Sequence, residues 1–102
     1  MINNLVLHSN QKISIIVDKK AFEDVINSLT KTISGIKIND SKTEVEISEK
    51  NNNVTFSIEI KISEKLNISE IIKTIKNKIE IHCLFLIDKK PKNILINYVG
   101  TF

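Results

Sequence analysis

Residues 54–62 read VTFSIEIKI, with Val54, Phe56, Ile58, Ile60 and Ile62 on one side and Thr55, Ser57, Glu59 and Lys61 on the other. Successive side chains of an extended chain point to opposite faces, so this run predicts a strand with one buried face. Just upstream, Thr43–Ser48 (TEVEIS) repeats the pattern more briefly, with Val45 and Ile47 inward. Glu49 to Asn53 lies between them, and asparagine tolerates the left-handed backbone of a tight turn. The two strands should therefore pair as a hairpin. Glu44, Glu46 and nearby Lys42 suit a charged edge that resists aggregation.

Further upstream, residues 12–17 (KISIIV) read as a strand with Ile13, Ile15 and Val17 on one face. Asp18 can cap a helix from Lys19, in which Phe22, Val25, Ile26, Leu29 and Ile33 recur at helical spacing. Ser34-Gly35 ends that helix. Leu5–Leu7 reads as a short edge strand within an N-terminal extension, residues 1–10, ahead of a single domain over 11–102.

Downstream, Asn67 with Glu70 makes a capping-box-like start, and Ile68, Ile71, Ile72, Ile75 and Ile79 form a buried stripe. The following IEIHCLFLI, residues 79–87, fits a strand on its β-branched content or two further helical turns on its spacing. Helix to Ile87 is favoured, because a strand from Ile79 leaves only about ten helical residues to cross the sheet. Asp88 to Asn93 holds the only proline, Pro91, and Ile94–Val99 is the last strand, closed by Gly100. The order β-α-β-β-α-β predicts an α+β two-layer sandwich: an antiparallel four-stranded sheet with both helices on one face. Strands 12–17 and 54–62, the most apolar pair, would lie at its centre.

At 102 residues and 41% hydrophobic content the chain suits one domain, burying roughly 65% of its unfolded surface. All 15 basic residues are lysine, and isoleucine (21) and asparagine (12) are abundant, a skew typical of AT-rich coding. A net charge of +3 without arginine is a weak argument for phosphate recognition, which favours the planar guanidinium fork. A single cysteine, Cys83, excludes an intramolecular disulfide and suits a reducing cytoplasm. The N-terminus lacks the charged and apolar regions of a signal peptide, and no apolar run reaches the ~20 residues of a spanning helix.

No catalytic, cofactor-binding or metal-ligating constellation emerges. His8 and His82 are far apart, and no Cys-x-x-Cys, His-x-x-x-His or Glu-x-x-His spacing occurs. His82 and Cys83 are adjacent, and neighbours on a helix point about 100° apart, a poor geometry for a base and its nucleophile. Two glycines cannot build a phosphate-cradling loop.

Two surface features stand out. Lys73 and Lys76, with Lys89, Lys90 and Lys92, form a basic group that reads as solvated surface or as contact with an anionic surface. If the second helix reaches Ile87, then Ile81, Leu84 and Phe85 share its outer face and form an apolar self-association surface. If the segment is a strand, Ile81 and Phe85 are core and the patch vanishes. A nucleic-acid-binding module is the alternative function. Against it, the outward sides of the two central strands (Ser14, Ile16, Thr55, Ser57, Glu59, Lys61) present no aromatic for base stacking.

Residues 11–101 resemble the bacterial alkaline-shock, envelope-associated protein family. The resemblance lies in the Asp18-capped helix ending Ser34-Gly35-Ile36, the acidic strand, the alternating strand 54–62, the Asn67-Ile68-Ser69-Glu70 helix start and the closing Asn97-Tyr98-Val99-Gly100. The first helix departs from the family in lacking its alanine and glycine, and Pro91-Lys92-Asn93 replaces a glycine before the last strand. The resemblance implies a non-enzymatic cytoplasmic interaction or scaffold protein without cofactors. It would be a homo-oligomer or be held at the inner face of the membrane by an anchored partner, with a role in envelope homeostasis under stress.

Overall fold

A computed structural model describes residues 4–8 and 14–102. Its centre is the alternating stretch, a ten-residue strand β5 at Asn53–Ile62. Numbering in chain order, the strands before it are β1 (Asn4–His8), β2 (Ser14–Asp18), β3 (Ile36–Ile38) and β4 (Glu44–Ser48), and β6 (Asn93–Thr101) follows it. Helix α1 spans Lys19–Thr32 and α2 spans Ile68–Ile87.

Both edges of β5 are occupied. On one, β4 pairs antiparallel with its first half (Val45 opposite Phe56) and β3 with its last residues (Ile36 opposite Ile62). A single 3-10 turn at Asp40–Lys42 separates β3 from β4, so the two follow one another along the same edge. On the other edge β6 runs parallel to β5, with Phe56 opposite Ile94 and Ile60 opposite Tyr98. The hairpin expected between residues 43–48 and 54–62 is present, and Asn52 at φ 51° makes its turn.

The expected β-α-β-β-α-β order and four-stranded antiparallel sheet are not what forms. The split arrangement places strand 12–17 between 54–62 and 94–99. Instead β2 pairs with β1 in a separate two-stranded sheet, Val17 opposite Leu5, while Lys12 and Ile13 fall outside the described residues. With that slot empty, α2 carries the chain back along β5 and sets β6 directly beside it. Two strands joined by one crossover helix start at the same end and so pair in parallel. The sheet is therefore mixed. The unforeseen β3 arises because Gly35, at φ +86°, reverses the chain after α1 and lays Ile36–Ile38 along the end of β5.

Both helices cover the apolar face of β5, where Val54, Phe56, Ile58, Ile60 and Ile62 are all essentially inaccessible. Asp18 caps α1 by accepting the Lys20 N–H at 2.9 Å. Phe22 of α1 meets Phe56 edge-on at 6.2 Å between ring centres, a geometry that aromatic quadrupoles favour. The core is one cluster, and Leu5 and Val17 of the hairpin belong to it. Ile16, on the other side of β2, is 63% exposed.

Gly35 is required twice over: its backbone is left-handed, and a β-carbon there would collide with the Leu66 side chain. Gly35→Ala should lower the unfolding free energy by about 1–3 kcal/mol. Adding Leu66→Ala should remove the collision yet leave the backbone strain. Urea titration of both variants measures the two parts.

Candidate interaction surface

Helix α2 settles the ambiguity of residues 79–87: they are helical throughout. Asn67 caps the start, its side-chain oxygen accepting the Glu70 N–H at 3.1 Å. Ile75, Ile79, Cys83 and Ile87 are buried in steps of four, the spacing of one helical face. At the far end Asp88 takes a left-handed conformation (φ 58°) and donates its N–H to the Leu84 carbonyl at 3.0 Å.

Residues 81, 84 and 85 lie three and four apart, so they share a stripe rotated away from the buried one. Ile81 is 64% exposed, Leu84 42% and Phe85 86%. A phenylalanine so exposed beside two aliphatic side chains is an apolar patch on a helix face that the described residues leave open.

Lys76 and Lys92 line a shallow groove between α2 and β6, of about 450 Å³, together with Ile72, Ile94 and the acid Glu80. Lys73 does not line that groove. Lys90 is held by its backbone, the Asn53 amide nitrogen donating to its carbonyl at 3.3 Å. Glu80 in the groove works against simple recognition of an anion. The open sheet face also carries acids: Glu44 and Glu46 of β4 stand opposite Ser57 and Thr55, and Glu59 accepts from the Asn39 amide at 2.8 Å.

Sequence reasoning missed a second surface. Strand β6 reads NILINYVGT and carries no charge. Leu95 and Val99 are 51% and 45% exposed on the open face, and Ile94, Ile96 and Tyr98 are half-buried on the helix side. Beyond the strand, the Lys37 ammonium sits 4.4 Å above the Phe102 ring, a cation–π contact that holds the C-terminus against β3. The alternation and missing charge of β6 were readable in the sequence. What could not be read was which strand would end at an edge.

His82 is exposed and Cys83 fully buried, so the two do not form a catalytic pair. Among the described residues no three histidine, cysteine, aspartate or glutamate side chains gather as a metal site. None of the described helices is long and apolar enough to cross a membrane. Neither a family model, nor a curated protein, nor a solved structure matches the chain.

Burial pushes the Cys83 thiol up from 9.0 to about 11, with Lys89 pulling weakly the other way. Between those values the unfolded chain has lost the thiol proton and the folded chain keeps it. This thiol's contribution to stability is thus complete below pH 9 and falls as pH rises toward 11, by about 1.4 kcal/mol per pH unit. Urea midpoints of the native protein and Cys83→Ala, compared from pH 8 upward, should converge over that window. The native thiol should also resist a thiol reagent at pH 8 and react once urea unfolds the chain.

Proposed function

We propose that this is a non-enzymatic interaction protein that works by self-association. The observation that carries the reading is the apolar stripe of Ile81, Leu84 and Phe85 on the outer face of α2. The native fold exposes this stripe although α2 has a separate, fully satisfied buried face. Taking such a group out of water is worth about 25 cal/mol per Å² of apolar area, and a two-fold contact between copies buries both stripes at once. Ile81 and Phe85 are four positions apart, about one helical turn, so two such stripes can interdigitate ridge into groove.

The resemblance to alkaline-shock proteins adds a place to this proposal: the cytoplasmic side of the cell envelope, where an anchored partner holds the assembly and stress is the occasion for it. The nucleic-acid reading gains no support from the open sheet face, where Glu44, Glu46 and Glu59 share the surface with Thr55, Ser57 and the apolar Leu95 and Val99.

Leu84→Glu is the direct test. Leu84 is outside the buried stripe, so its replacement should move the urea midpoint by no more than about 0.5 kcal/mol of stability. In sedimentation equilibrium it should lower the average mass. A native protein that sediments as a single chain, or a variant with the native mass, would overturn the proposal.

A further inference from the structure

The free edge of β6 points to a second self-contact. We propose that β6 pairs antiparallel with β6 of another copy, about a two-fold axis at Asn97, joining two main sheets into one. This contact does not involve the α2 stripe and stands or falls without it.

The Asn39 N–H donates to the Glu59 carbonyl at 3.0 Å and the Ser63 N–H to the Gly35 carbonyl at 2.8 Å. Odd-numbered residues of β5 thus turn their backbone groups toward β3 and β4, and even-numbered ones turn toward β6. In a parallel ladder only one member of each register pair directs its groups at the partner strand. With Phe56 opposite Ile94, Ile58 opposite Ile96 and Ile60 opposite Tyr98, the N–H and C=O groups of Ile94, Ile96 and Tyr98 face outward. Among the described residues nothing pairs with them.

An open edge of this kind is normally blunted by charge, proline or a short span. The opposite edge is blunted: β4 carries Glu44 and Glu46, and β3 is three residues long with Lys37 at its middle. β6 has nine residues, and none is charged or proline. Its one irregularity is at the far end, where the register with β5 slips between Tyr98 and Gly100. That bulge bends the strand at Val99, the outermost residue of the proposed contact, and leaves Ile94 to Tyr98 in regular pairing with β5.

The occupant follows from charge and from the register itself. Copies of a chain with net charge +3 repel one another, least where a strip has no charge. Centred on Asn97, the antiparallel register sets Leu95 against Val99 on the open face and Ile96 against Tyr98 on the helix face, each twice. Asn97 meets its own copy, amide to amide. Ile96 and Tyr98 exchange four backbone hydrogen bonds across the axis. A register centred on Ile96 instead keeps apolar pairs on the helix face, Ile96 with its own copy and Ile94 with Tyr98, but sets Leu95 against Asn97 and Val99 against Asn93 on the open face. Strand addition of this type draws affinity from main-chain bonds and specificity from alternate side chains.

The test crosses two substitutions. Asn97→Lys places like charges face to face at the axis while altering only an exposed side chain, and should weaken the contact by about tenfold or more. Sedimentation equilibrium is run on the native protein, Asn97→Lys, Leu84→Glu and the double variant. With both contacts present the native mass exceeds two chains, each single variant reaches two, and the double variant is a single chain. If the α2 stripe fails and the β6 edge holds, Leu84→Glu keeps the native mass of two chains and Asn97→Lys still sediments as one. If Asn97→Lys leaves the mass unchanged in both backgrounds, the β6 contact is overturned. Asn97→Cys is an independent readout. Paired residues at a non-hydrogen-bonded position are about 4.5 Å apart at their α-carbons, within disulfide range. Mild oxidation should give a covalent dimer, and Glu46→Cys on the blunted edge should not. Failure of Asn97→Cys to cross-link, with Asn97→Lys at the native mass, leaves nothing of the proposal.

Discussion

Strand β5 constrains every other part of the molecule. Its apolar face supplies five inaccessible side chains, and an alternating strand can present that face only if something covers its full length. Two helices are needed to do so. Helix α1 reaches it through Phe22 and the Phe56 ring, and α2 through its four-step stripe. The backbone of β5 imposes a second demand, since the edges of a strand buried on one face must find partners on both sides. The nearest chain in sequence takes each edge: β4 and β3 by a short turn, and β6 by the return of α2. Loop closure favours β4, reached over a short turn, whereas β6 lies about as far from β5 in sequence as strand 12–17 does and is brought to its edge by the crossover helix α2.

That preference explains what could be read from the sequence. Caps and turns are local chemistry, so Asp18, Asn67 and the asparagines of the β4–β5 turn marked their elements correctly. The inward faces of β4 and β5 were legible for the same reason. Sheet order was not, because strand 12–17 and strand 54–62 are equally suited, by apolar content, to lie side by side. The alternative partner, Asn4–His8, was readable only as a short edge strand. Three residues of IKI after Gly35 are too few to show a period, and β3 went unseen. The α2 stripe was legible on condition that the helix continue. The β6 surface could not be, since an uncharged strand becomes an exposed edge only once the topology is known.

Charge placement ties the two apolar surfaces together. From Ile81 to Ile87 the chain carries no carboxylate and no lysine, and the same holds from Asn93 to Phe102. Between them Asp88, Lys89, Lys90 and Lys92 concentrate charge in one connecting loop. Solubility alone would scatter these residues over the outer faces of α2 and β6, as Lys73, Lys76, Lys78 and Glu80 are placed in the helix before Ile81. Grouping them at the junction leaves two uncharged surfaces on either side of it.

The junction is itself held by one side chain. The Asn53 oxygen accepts the Lys92 N–H at 3.1 Å, its amide nitrogen donates to the Lys90 carbonyl, and Lys92 also donates to the Val54 carbonyl at 2.9 Å. These bonds tie the loop to the first residues of β5. They fix where β6 begins against β5, and hence which of its residues turn their backbone outward. A slip of one residue there would exchange the open and helix-facing sides of β6 and bring Leu95 and Val99 onto the core face. The outward register of Ile94, Ile96 and Tyr98 therefore depends on an asparagine in another strand, at the base of the turn that the alternating sequence sets up.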